Sequence, residues 1–85
     1  MESRVAVMAI IVENTNSAEP LNDLLHEYGS YIIGRMGLPY AKRNIALISV
    51  AIDAPQDVIS ALTGKIGNIP QVSVKTVYSK VGERG

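Results

Sequence analysis

Two stretches of this chain, Val5-Ala6-Val7-Met8-Ala9-Ile10-Ile11-Val12 and Ile45-Ala46-Leu47-Ile48-Ser49-Val50-Ala51-Ile52, are apolar at nearly every position. A strand with one wet face alternates apolar and polar residues; a strand covered on both faces reads as a continuous apolar run. Both stretches therefore predict central strands with two dry faces. That demand is hard to meet in 85 residues. A chain of this size buries only about 60% of the surface its unfolded form exposes. It has room for two helices at most, enough to cover one side of a sheet. The other side needs a partner, and a second copy of the same chain is the expected one. With no Cys present, neither a disulfide nor a thiolate metal site compensates.

Between and around these runs the remaining elements follow. The first strand is expected from about Arg4 to Glu13, then a polar loop, Asn14-Thr15-Asn16-Ser17, that ends in good N-cap residues. Pro20 suits a first helical turn, and Leu21, Leu24, Leu25 and Tyr28 fall on one helical stripe that Gly29 is placed to end. Tyr31 to Leu38 reads as a second strand stopped by Pro39, with Gly34 and Gly37 inside it marking a bulge or a close approach to the backbone. After the hydrophilic turn Lys42-Arg43-Asn44 comes the strand Ile45 to Ile52. Asp53-Ala54-Pro55-Gln56 has the form of a capped helix start, and Ile59, Leu62 and Ile66, supported by Val58, give the buried stripe of a second helix closed by Gly67. Val72, Val74, Thr76 and Tyr78 alternate with Ser73, Lys75, Val77 and Ser79, the pattern of a half-exposed edge strand. One domain over residues 1–85 is expected, with 81–85 a frayed tail.

The order βαββαβ implies an α+β, ferredoxin-like fold: a four-stranded antiparallel sheet with two helices on one face. Right-handed crossovers put the first and third strands in the centre, which are the two doubly apolar runs.

Several functions that use this topology are excluded by residue type. RNA recognition needs aromatic rings on the first and third strands for stacking, and neither has one. Eight basic residues balance eight acidic ones, so the basic excess of a nucleic-acid binder is missing. A soft-metal carrier needs paired Cys. A phosphate-handling enzyme of the acylphosphatase kind needs an Arg in the loop after the first strand, where this chain has Asn14-Thr15-Asn16-Ser17. No nucleophile–base pair is visible, which argues against an enzyme. The run Val5 to Val12 falls well short of the roughly 20 apolar residues of a membrane span, and no signal peptide is evident, so a soluble cytoplasmic protein is expected.

The residues that could carry chemistry are few. His26 lies off the apolar stripe near the end of the first helix, either solvated and favoured by the helix dipole or part of a ligand site or interface. A metal site on His26 would need partners from another subunit, such as Asp23 or Glu27, and no metal is expected. Arg35 is the one charge embedded in an apolar strand. It is either an edge charge that discourages aggregation or a clamp for a carboxylate or phosphate. Asn14, Asn16 and Ser17 are either turn residues or donors at a helix N-terminus where an anion could sit. Gly64-Lys65 lacks the rest of a P-loop and reads as helix punctuation.

Leu24-Leu25-His26-Glu27-Tyr28-Gly29-Ser30-Tyr31-Ile32-Ile33-Gly34-Arg35-Met36-Gly37-Leu38-Pro39-Tyr40, with Ile59-Ser60-Ala61-Leu62-Thr63-Gly64-Lys65-Ile66-Gly67 and Val72-Ser73-Val74-Lys75-Thr76, resembles a family of small ACT-like proteins described as regulators of the iron-only hydrogenase system. The resemblance covers nearly the whole chain. It implies a sheet that pairs into dimers or tetramers, akin to the sensor half of nickel-responsive repressors, with an effector near the loop after the first strand and the second strand. Asn14, Asn16, Ser17, His26, Gly34, Arg35 and Gly37 are then the expected ligand-binding residues, suited to a small anionic effector and with no cofactor. The expected function is that of a non-catalytic, homo-oligomeric regulatory module that senses a small molecule or binds a partner protein. The alternative is a scaffold without a ligand, acting through its sheet edges.

Overall fold

A computed structural model describes residues 2–80. It contains β1 (Arg4–Val12), α1 (Ala18–Glu27), β2 (Ile32–Tyr40), β3 (Ile45–Ala54), α2 (Gln56–Gly67) and β4 (Val72–Tyr78), with single 3-10 turns at Thr15–Ser17 and Gly29–Tyr31. The strands form one antiparallel sheet in the order β2-β3-β1-β4, so the two doubly apolar runs are central and the fold is the expected ferredoxin-like one. The tail expected to fray, 81–85, lies outside the described residues.

The register decides which half of each apolar run is dry. Ala6, Met8, Ile10 and Val12 of β1, with Val50, Ile52 and Ala54 of β3, are buried against Leu21 and Leu25 of α1 and Ile59, Leu62 and Ile66 of α2. These are the helical stripes the spacing predicts. Burying each such side chain contributes roughly 1.5–3 kcal/mol. The alternate set, Val5, Val7 and Ile11 of β1 and Leu47 of β3, points to the uncovered side and stands 38–44% exposed.

Three local expectations are corrected. Pro39 does not stop β2; the strand runs on to Tyr40, and Pro39 pairs with Ala46, as an edge strand tolerates. Asp53 does not cap α2; it continues β3 opposite Val5, and Pro55 precedes the helix without a side-chain cap. Ser17 sits at the start of α1 but makes no cap bond, because its hydroxyl donates to the Pro70 carbonyl at 2.7 Å. The helices end where expected, α1 just before Gly29 and α2 at Gly67, and both glycines have ordinary backbone angles. The left-handed residues among those described are Asn44 (φ 55°), in the β2–β3 turn, and Gln71 (φ 64°), just before β4. The expected bulge is found in β2: Ile32 pairs with Ile52 but Gly34 with Ala51, leaving Ile33 without an opposite number.

Candidate functional site

β2 is exposed along its whole length from Ile33 to Tyr40, on both faces, because α1 and α2 stand over the other three strands. Arg35 pairs with the buried Val50 and so points to the helix side. There its Nη2 donates to Asn22 Oδ1 of α1 at 2.8 Å. Asn22 and His26 are four residues apart and share one face of α1. With Asp23, Gly29 and Ile32 they line a cleft of about 510 Å³ between α1 and β2 that includes Arg35. A neutral amide holds the guanidinium by one of its nitrogens, and among the described residues no carboxylate pairs with it. The positive charge is therefore oriented but not neutralised, with N–H groups still free to meet an anion.

The remaining expected site residues are elsewhere. Asn14 Nδ2 donates to Gln71 Oε1 at 2.6 Å, and Asn14 Oδ1 accepts from the Asn16 backbone N–H at 2.9 Å. With Ser17 buried on Pro70, this loop is tied to the start of β4, on the opposite side of the sheet order from β2. Asn14, Asn16 and Ser17 thus form a structural clasp around Gln71 and are not gathered with Arg35. Gly34 and Gly37 also part company: Gly34 pairs with Ala51 on the uncovered face, whereas Gly37, opposite Ile48, shares Arg35's side. Neither glycine has an atom within 4 Å of a Cβ placed on it, so both leave open space. Of the expected set, the structure unites His26 and Arg35, with Gly37 on the same side of the strand.

Sequence reasoning missed Asn22, although its spacing to His26 was visible. It also missed a polar cluster at the far end of the sheet. Arg4 Nη1 donates to Gln56 Oε1 at 2.7 Å, and Gln56 Nε2 donates to the Tyr78 hydroxyl at 2.8 Å and to Ser60 Oγ at 3.1 Å. The Arg4 guanidinium also lies 4.2 Å from the Tyr78 ring centroid. These groups satisfy one another and join β1, α2 and β4. On the helix side, Lys65 Nζ lies 5.2 Å from the Tyr28 ring centroid, and Tyr28 holds the Lys65 pKa above its ordinary 10.5, by hydrogen bonding first and then by charge. Among the described residues there is no cluster of three or more His, Cys, Asp or Glu able to hold a metal ion, and no helix long and apolar enough to cross a membrane.

Comparison with known proteins matches residues 4–76 to the TM1266-like family, described as "Iron-only hydrogenase system regulator, putative". The solved structure of the uncharacterized protein TM1266 from Thermotoga maritima superposes with a TM-score of 0.89 at 36% identity, covering 93% of this chain and all of that one. More distant structures share the fold alone. The C-terminal domain of MgtC from Mycobacterium tuberculosis has a TM-score of 0.68 at 12% identity, over 96% of this chain and 94% of its own. CPII, a nitrogen regulatory PII-like protein from Thiomonas intermedia K12 solved with ADP, AMP and bicarbonate, has a TM-score of 0.53 at 18% identity, over 89% and 90%. No curated protein matches the chain.

Proposed function

This chain belongs to the TM1266-like family, and we propose that it is a homo-oligomeric, cytoplasmic regulatory module of an iron-only hydrogenase system that senses a small anion-bearing molecule in the cleft between α1 and β2. The observation that carries this reading is the Arg35 guanidinium, aimed by Asn22 into a cleft shared with His26 and left without a carboxylate partner among the described residues. Asp23 lines the same cleft. A ligand that bears a hydrogen-bond donor or positive group beside its carboxylate or phosphate therefore fits better than a bare polyanion. The family description is that of a regulator, which agrees with a binding role and not with catalysis.

The test is protection against heat by inorganic phosphate, bicarbonate, acetate and ADP, each at fixed ionic strength, on the wild type and on Arg35→Ala. Protection of the wild type by at least one of them, abolished in the variant with its oligomeric state unchanged, supports the sensor. If none protects the wild type and Arg35→Ala breaks the oligomer, Arg35 is an interface residue and the scaffold reading replaces the sensor.

A further inference from the structure

Residues paired across strands share a face, so the register maps the uncovered side of the sheet in rows. One row reads Met36, Ser49, Ala9, Lys75 across β2, β3, β1 and β4. Its two central residues are small. The next row, Leu38, Leu47, Ile11, Ser73, is tall in the middle. The step between these rows makes a shallow apolar hollow of about 500 Å³ over Ala9 and Ser49, walled by Ile11, Leu47, Leu38 and Met36. Met36 itself is 75% exposed at the rim. One face thus carries both a long, adaptable knob and a hollow able to take it.

We propose that two copies of this chain pack these sheets face to face, with Met36 of each protomer filling the hollow over Ala9 and Ser49 of the other. The proposal deepens the homo-oligomer part of the function given above and rests on it. Three observations select a second copy as the occupant. A two-fold interface presents the same patch twice, so each patch must hold knob and hollow together, as this one does. Four strands about 4.8 Å apart and about nine residues long at about 3.3 Å rise give a face of about 600 Å², or about 1,200 Å² for two copies, the size of a specific interface. Charge is pushed to the margins: on this face Lys75 stands on the edge strand β4 and Asp53 near the end of β3, leaving the centre neutral and apolar.

Sedimentation velocity over a micromolar dilution series tests it, with far-UV circular dichroism to follow folding. Met36→Lys should raise the dimer dissociation constant about a hundredfold, as loss of a central anchor does. Ser49→Leu, which fills the hollow from its own side, should weaken association comparably, and the double variant Met36→Ala with Ser49→Leu should restore it, because the volume has moved from partner to self. Restoration supports the proposal even if Met36→Lys fails to fold. A wild type that is a folded monomer throughout the series overturns this proposal and the homo-oligomer reading together. A wild-type oligomer whose dissociation constant is unmoved by all three variants overturns the proposal alone and puts the contact elsewhere, for example on the β2 edge.

Discussion

Asn22 of α1 accepts a 2.8 Å hydrogen bond from Arg35 of β2, a side-chain bond that ties that edge strand to the helix layer. It aims the guanidinium without cancelling its charge. Arg35→Ala should weaken binding of a protecting anion about ten- to a hundredfold, since a hydrogen bond to a charged group contributes roughly 1.5–3 kcal/mol. Asn22→Ala should weaken it less, because the charge survives and only its aim is lost. Titration calorimetry with the best anion from the heat-protection series measures both; equal losses would show that Asn22 itself touches the ligand.

A charge placed in the middle of the uncovered sheet should separate and destabilise the protein in one step. Ile11→Lys, on β1 opposite Leu47, is expected to lower the melting temperature and shift the sedimentation coefficient to the monomer value together, because association that favours the folded state also stabilises it. A folded Ile11→Lys protein of wild-type size and melting temperature would contradict an interface on this face.

In the core, Leu62 is fully buried in α2 and packs within the same cluster as Met8 and Ile52. Leu62→Ala should cost about 2–5 kcal/mol of unfolding free energy, read by urea denaturation at fixed protein concentration.

Lys65 sets the alkaline limit of one contact between the helices. Tyr28 raises its pKa above 10.5 in the folded protein. A raised folded-state value means the stabilisation is complete below the unfolded pKa and is lost as pH rises through the folded one. Lys65→Gln should therefore melt below the wild type at neutral pH, and the gap should close as the pH passes above 10.5. Paired thermal melts from pH 7 upward check the sign.

Asn44 holds a left-handed backbone in the β2–β3 turn. Asn44→Ala should cost about 1 kcal/mol and Asn44→Gly should be neutral or stabilising, since the penalty comes from a Cβ without a compensating local bond. The same urea series that measures Leu62→Ala serves here.

The elements most legible in the sequence were those with a single strong period. The stripes Leu21-Leu25 and Ile59-Leu62-Ile66 are buried as their spacing requires. The doubly apolar strands are central, as a continuous apolar run implies. Which alternate set faces the helices was not legible, because Ala6-Met8-Ile10-Val12 and Val5-Val7-Ala9-Ile11 are equally apolar. The caps were misread for a different reason. Ser17 and Asp53 are good cap residues locally, but a carbonyl at Pro70 and a strand partner at Val5 compete for them from far along the chain. The grouping of the candidate residues was half legible. His26 and Arg35 share a cleft, whereas Asn14 was claimed by Gln71, whose left-handed conformation no sequence signal announces.

The unpaired Ile33 in β2 has a reach well beyond its own position. Were Ile33 to pair with Ala51 and β2 to run on without the bulge, Arg35 would fall beside Ser49 and Met36 beside Ile48, each on the side the other now occupies. The cation would stand on the bare face of the sheet and the thioether would turn toward the helices. A single supernumerary residue thus sorts this strand's alternating side chains into a polar half and a greasy half. Both proposed surfaces hang on that bulge: a strand in which Ile33 took Ala51 as its partner would exchange their occupants at a stroke, whereas one lacking Ile33 altogether would keep them.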